Sequence, residues 1–177
     1  MRRILALAGY RISLGRPTAD DLIGVWGNSP TAHRGLAAAT RHAVPVVRVE
    51  DAFLRSLFPG RSGTPPLGLL IDHKGVHFDP TQPSDIETLL ATHPLDDSAL
   101  LDRARGVIAR MAVAHLSKYT AFDPTLPVPA PGYVVVVDQT HGDASVTACG
   151  ADRNRFLEML FVARDETPGA RILIKSH

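Results

Sequence analysis

Leu22-Ile23-Gly24-Val25-Trp26-Gly27-Asn28-Ser29-Pro30 is a short apolar run closed by turn formers. The run reads as a buried strand, and Ser29-Pro30 as a helix start. A serine hydroxyl caps free backbone N–H groups, and proline loses nothing at a first helical position. Residues 31–43 then read as the helix. Residues 44–49 (VPVVRV) are rich in β-branched side chains and read as a second strand. Strand, helix, strand at this spacing makes a βαβ unit of a parallel sheet. The expected fold class is α/β.

Further along, residues 67–71 and 76–78 flank Asp72-His73-Lys74-Gly75, the composition of a hairpin turn. Ser84-Asp85-Ile86-Glu87 matches a capping box and should start a short helix to about Ala91. Asp96 or Asp97 can cap a longer helix, with apolar residues in helical period from Leu100 to Leu116 and an end near Tyr119. Residues 123–132 (DPTLPVPAPG) hold four prolines, which favours an extended linker. Beyond it, residues 133–137 (YVVVV) read as a strand, 139–150 as a long loop, 152–164 as an amphipathic helix and 171–175 (RILIK) as a strand. The expected organisation is a domain over 1–122, a linker over 123–132 and the first βαβ of a second domain over 133–177. One βαβ unit cannot cover both faces of a sheet. The chain is therefore expected to be a fragment of a longer protein.

Composition limits the function classes. With 45% apolar and 21% charged residues, the chain is that of a globular protein. Lys and Arg total 19 against 18 Asp and Glu, a net charge of +1. That balance gives no electrostatic footprint for nucleic acid and no basic surplus for an anionic membrane. A single cysteine, Cys149, excludes an intramolecular disulfide and any multi-cysteine metal site. The five apolar residues after Met1-Arg2-Arg3 fall short of the ~7–15 of a signal sequence, so a cytoplasmic location is expected.

Glu50 and Asp51 follow the second strand, at the end where α/β enzymes place reacting groups. Adjacent carboxylates raise the pKa of one partner, and the pair can supply a general base or a nucleophile. A helix-capping Asp beside a solvated Glu fits the spacing equally well. Residues 138–145 (DQTHGDAS) can grip a sugar or a carboxylate, or form a plain polar loop. Lys175-Ser176-His177 can bind phosphate, or simply end a strand. His73 and His77 would straddle a turn with no evident third ligand, so no metal site is expected.

Together these residues resemble the KpsC-type capsule polysaccharide β-Kdo transferases. The resemblance runs through residues 25–30 (VWGNSP), 49–56 (VEDAFLRS), 65–67 (PPL), Asp72, 75–79 (GVHFD), 83–85 (PSD), 116–119 (LSKY), Gln139, 142–145 (GDAS) and 174–177 (IKSH). It implies a GT-B arrangement, two Rossmann-like domains facing a cleft, of which this chain would hold the first and the start of the second. It implies a CMP-Kdo donor, a lipid-linked Kdo acceptor on (lyso)phosphatidylglycerol, retention of configuration, and work at the cytoplasmic face of the inner membrane beside capsule assembly proteins. By the same resemblance Asp51 is the nucleophile and Glu50 tunes or orients it. Gln139, Asp143 and Ser145 meet the donor, and Lys175 and His177 hold its CMP. Ala52 stands where many members have glycine. No cofactor or metal is implied, because side chains can neutralise the leaving group. A non-catalytic binding remnant and a sialyl-type CMP-sugar transferase are the competing readings. The nucleophile reading fails if the Asp51 carboxylate is turned into solvent far from the last residues, or locked in an unrelated ion pair inside the core.

Overall fold

Two β-branched strands lying side by side hold the centre of the N-terminal half. The computed structural model describes residues 1–176. A short helix, α1 (Arg2–Leu7), buries none of its side chains. Strand β1 (Ile23–Trp26) is followed by helix α2 (Ala32–His42) and strand β2 (Val46–Asp51). β1 and β2 are parallel, with Ile23 opposite Val46 and Trp26 opposite Val49. α2 lies on the Ile23/Val25 face of β1. Val25, Ala32 and Ala39 are buried on that side, Val47 and Val49, in register with Gly24 and Trp26, are buried on the opposite face, and Val44, between α2 and β2 in the chain, is buried as well.

Two local expectations shift. The helix starts after Thr31 and has no side-chain cap; the Ser29 carbonyl accepts from Ala32 N at 2.9 Å, so Ser29-Pro30-Thr31 is a turn before the helix. β2 begins after Pro45 and runs on through Glu50 and Asp51. Those two residues are held in the strand by strand β3 (Leu69–Asp72), which pairs with β2 antiparallel: Glu50 faces Leu70 and Asp51 faces Leu69. The sheet order is β1-β2-β3.

The hairpin expected around residues 72–75 does not form. Asp72, 2% exposed, takes backbone hydrogens from Lys74 and Gly75 on Oδ1, both at 2.8 Å, and from Asp85 on Oδ2 at 2.7 Å. Three N–H groups on one buried carboxylate turn the chain into helix α3 (Asp85–Thr92) instead of back along β3. The capping box is present: Ser84 Oγ accepts from Glu87 N at 3.2 Å, and Glu87 Oε2 accepts from Ser84 N at 2.7 Å. Asp97 caps helix α4 (Ser98–Val113). That helix stops short of Tyr119 because residues 118–121 are drawn out against 55–57. Arg55 N donates to Lys118 O at 3.1 Å, Thr120 N to Ser56 O at 3.3 Å and Ala121 N to Leu57 O at 2.9 Å.

The C-terminal part has its own parallel pair. Strand β4 (Tyr133–Val137) is followed by helices α5 (Ala144–Ala148) and α6 (Arg153–Glu166) and strand β5 (Arg171–Lys175). Tyr133 lies opposite Arg171 and Val137 opposite Lys175. α5 interrupts the stretch expected to be loop, and Asp143 is its cap. The chain divides into two compact units: Met1–His77 with Pro83–Pro124, and Phe78–Gln82 with the chain from Thr125 on. Among the described residues, no helix is long and apolar enough to cross a membrane.

Candidate active site

In the first unit the carboxyl ends of β1 and β2 lie together. Gly27 N, just past β1, donates to Val49 O at 2.9 Å. Crevices outside such strand ends are where open α/β sheets bind ligands. Side chains alternate along a strand, so Glu50 and Asp51 leave opposite faces of β2. Both lie within β2 and not beyond it, where the end of the apolar run had placed them.

Glu50 lies on the α2 face, over Gly27. A Cβ added at Gly27 would overlap Glu50 Oε1, and the Gly27 φ of +39° is itself left-handed. Arg48, on the same face, donates from Nη1 to Gly27 O at 2.9 Å and to Asn28 Oδ1 at 3.0 Å. Glu50 Oε2 accepts from Asp51 N at 3.3 Å. Burial pushes the Glu50 carboxyl above the usual carboxylate range, and the negative charge of Asp51 adds to the rise. The Asp51 N–H and the positive charges of His77 and Lys118 oppose it.

Asp51 lies on the opposite face. Its Oδ1 accepts from Arg55 Nε at 2.9 Å, an ion pair with side-chain exposures of 19% for Asp51 and 7% for Arg55. Half of the condition that would exclude a nucleophile is therefore met: one oxygen is paired. Oδ2 makes no hydrogen bond among the described residues. No buried side-chain oxygen or nitrogen there lacks a partner, so Oδ2 reaches the surface. Arg55 was assigned no role from sequence. Its spacing of four from Asp51 was a signal, but outside a helix that spacing does not by itself bring side chains together.

In the second unit Gln139 and Lys175 lie at the carboxyl ends of β4 and β5, where Asp138 N donates to Lys175 O at 2.9 Å. Gln139 N donates to Asp138 Oδ1 at 2.8 Å. Asp143 and Ser145 are tied to each other: Asp143 Oδ1 accepts from Ser145 N at 2.8 Å and from Ser145 Oγ at 2.6 Å. In this structure they form a helix cap. Lys175 Nζ is exposed and donates to Ser176 O at 3.2 Å. His177 lies outside the described residues. His73 is taken up by Tyr10, whose hydroxyl lies 2.7 Å from Nε2, and by Asp85. Among the described residues no three His, Cys, Asp or Glu side chains are placed to hold a metal.

A family model described as "Capsule polysaccharide biosynthesis protein" matches residues 21–127 and 128–177. Two capsule polysaccharide modification proteins LipA of Neisseria meningitidis are similar. The serogroup A protein is 38% identical over 90% of this chain, and the serogroup B protein 36% over 97%. This chain spans 23% and 25% of their lengths. The lipopolysaccharide-processing protein LpsZ of Rhizobium meliloti is 33% identical over 78% of the chain and 33% of its own length. Among solved structures, Thermosulfurimonas dismutans KpsC, beta Kdo 2,4 transferase, is 35% identical with a TM-score of 0.77, covering 87% of this chain and 49% of that one. The beta Kdo 2,7 transferase of the same organism is 28% identical with a TM-score of 0.62, covering 88% and 47%. The sheet whose strand ends carry Asp51 is thus part of a fold shared with these proteins, and the chain belongs to the capsule polysaccharide biosynthesis family, in its KpsC-type branch.

Proposed function

We propose that the chain is the acidic-motif half of a β-Kdo transferase, with Asp51 as its nucleophile. In this reading the enzyme has the GT-B arrangement and uses CMP-Kdo. It adds Kdo with retention to a lipid-linked Kdo acceptor, at the cytoplasmic face of the inner membrane beside the capsule assembly proteins. The observation that carries the reading is an Asp51 carboxylate held at a parallel strand's carboxyl end with one oxygen reaching the surface. It is joined by the 35% identity to a solved β-Kdo transferase.

The chemistry follows from the substrate. The anomeric carbon of Kdo bears a carboxylate and gives an oxocarbenium-like centre as CMP departs. Asp51 Oδ2 bonds that carbon while its bond to the phosphate oxygen breaks, the electron pair leaving on CMP. An acceptor hydroxyl oxygen then displaces Oδ2. Its proton passes to water. Two displacements preserve configuration. Glu50 orients the nucleophile through its bond to Asp51 N. Lys175 and His177 offset the charge developing on CMP, and Gln139, Asp143 and Ser145 contact the donor. Contact by the last two requires the Asp143–Ser145 cap to present its remaining polar atoms outward.

The test is Asp51→Ala and Asp51→Asn in a protein of the relatives' length, assayed for transfer from CMP-Kdo. Both variants should lose turnover by several orders of magnitude; near-parental rates in both remove Asp51 from the role. The chain spans about half of each solved KpsC chain, which favours a second reading, a module that binds the donor without turning it over. Titration of CMP into the 177-residue chain, with turnover measured in parallel, separates the two.

A further inference from the structure

We infer that residues 1–16 dock on an anionic phospholipid surface, with a headgroup phosphate held between Arg2 and Arg11. The inference deepens the membrane location proposed above and rests on that reading for its purpose, while the binding itself needs neither Asp51 nor a sugar donor.

The charge of the chain is unevenly placed. Residues 1–19 carry four arginines, Arg2, Arg3, Arg11 and Arg16, and no Asp or Glu. That leaves 15 Lys and Arg against 18 Asp and Glu over residues 20–177. The net charge of +1 hides this asymmetry.

The fold gathers part of this charge in one place. Gly9, with a φ of +88°, closes α1: Gly9 N donates to Ala6 O at 3.1 Å and Tyr10 N to Leu5 O at 2.9 Å. The chain turns back beside the helix, and Arg2, Ala6, Gly9, Tyr10, Arg11 and Ile12 line an open cleft of about 330 Å³. Tyr10 ties this segment to the first unit through its hydroxyl, 2.7 Å from His73 Nε2. Among the described residues neither arginine of the cleft is in an ion pair. The positive charge of Arg11 is felt at Asp21, but that carboxylate already accepts from Thr18 N and Oγ1, both at 2.8 Å. The lining therefore offers two guanidinium groups and no carboxylate, a setting that suits a phosphate.

The apolar side chains around the cleft decide the source of that phosphate. α1 buries none of its residues. Leu7 is 82% exposed, Leu14 91% and Ile12 39%. Arg3 and Leu7, four apart on α1, share a face. A phosphate ion free in water gains nothing from these aliphatic groups. A phospholipid surface takes them among its acyl chains while its phosphates meet the arginines.

Sedimentation of the 177-residue chain with vesicles tests this without CMP-Kdo. Vesicles of phosphatidylglycerol and phosphatidylcholine in equal parts should carry the chain down, and pure phosphatidylcholine should not. Arg2→Ala/Arg11→Ala should weaken binding about 30-fold. Leu7→Ser/Leu14→Ser should weaken it at least about 10-fold. Arg103→Ala/Arg110→Ala removes the same charge from α4 and should bind within about twofold of the parent. All six side chains are exposed, so these variants keep the fold. Equal binding to both vesicles, binding to neither, or equal losses from the two arginine pairs overturns the inference. Release of the chain by inorganic phosphate, beyond that caused by sodium chloride at equal ionic strength, assigns the cleft to free phosphate and overturns it too. Turnover in Asp51→Asn removes the nucleophile and leaves this surface standing.

Discussion

Gly27→Ala probes the packing that holds Glu50 in place. Two costs arise at one position. The φ of +39° is left-handed, which costs a residue with a Cβ about 1–2 kcal/mol. The added methyl also overlaps Glu50 Oε1, so the half-buried carboxyl must leave its rotamer and its bond to Asp51 N, costing about 1 kcal/mol more. The sum is about 2–3 kcal/mol. Trp26, the only tryptophan, lies in β1 beside the substitution, so its fluorescence in urea follows the first unit. With a urea slope of about 1–3 kcal/mol/M, the midpoint should fall by roughly 0.7–3 M. The double variant Gly27→Ala/Glu50→Ala removes the overlap but not the backbone strain. It should lose less than the two single losses added together. An unchanged midpoint in Gly27→Ala, or strict additivity in the double variant, would refute the assigned packing.

Glu50→Gln addresses the raised carboxyl. A carboxyl whose folded pKa exceeds its unfolded value binds protons better when folded, so its stabilising contribution is complete below the unfolded pKa and is lost as pH rises through the folded one. Parent stability should therefore lose a component between the two values that Glu50→Gln does not lose, and the variant should match or exceed the parent at neutral pH; identical pH profiles in urea melts would contradict this. Asp72→Ala leaves three backbone N–H groups without their acceptor, two from the turn and one at the start of α3, and should cost about 3 kcal/mol or more by the same Trp26 measurement. A loss under about 1 kcal/mol would mean that the carboxylate does not organise that turn.

The sequence makes some elements plain and hides others for physical reasons. β4 and β5 are legible because continuous Val and Ile runs stand between Gly, Pro and turn formers, and their observed bounds are those read from residues 133–137 and 171–175. The capping box at Ser84 is legible because it is local: its partners are three residues apart. The pairing of β3 with β2 is not local, and nothing in residues 69–72 says which strand they will meet. Asp72 looked like a hairpin residue because turn composition does not reveal that Oδ2 will be taken by a residue thirteen positions on. The site shows the same division. The Glu50-Asp51 motif was visible, but the extension of β2 through both residues, which sends them to opposite faces, depends on β3. Arg55 became a partner of Asp51 because Ser56, Thr64 and Lys118 hold it there, and no spacing in the sequence encodes those contacts.

The central claim is that Asp51 bonds the sugar. Its most direct test incubates a protein of the relatives' length with CMP-Kdo in the absence of acceptor, quenches with acid and examines the peptides by mass spectrometry. The account predicts one Kdo residue attached to the peptide containing Asp51, and none in Asp51→Asn. A Kdo-bearing peptide from elsewhere in the chain, or full transfer activity in Asp51→Asn, would contradict it.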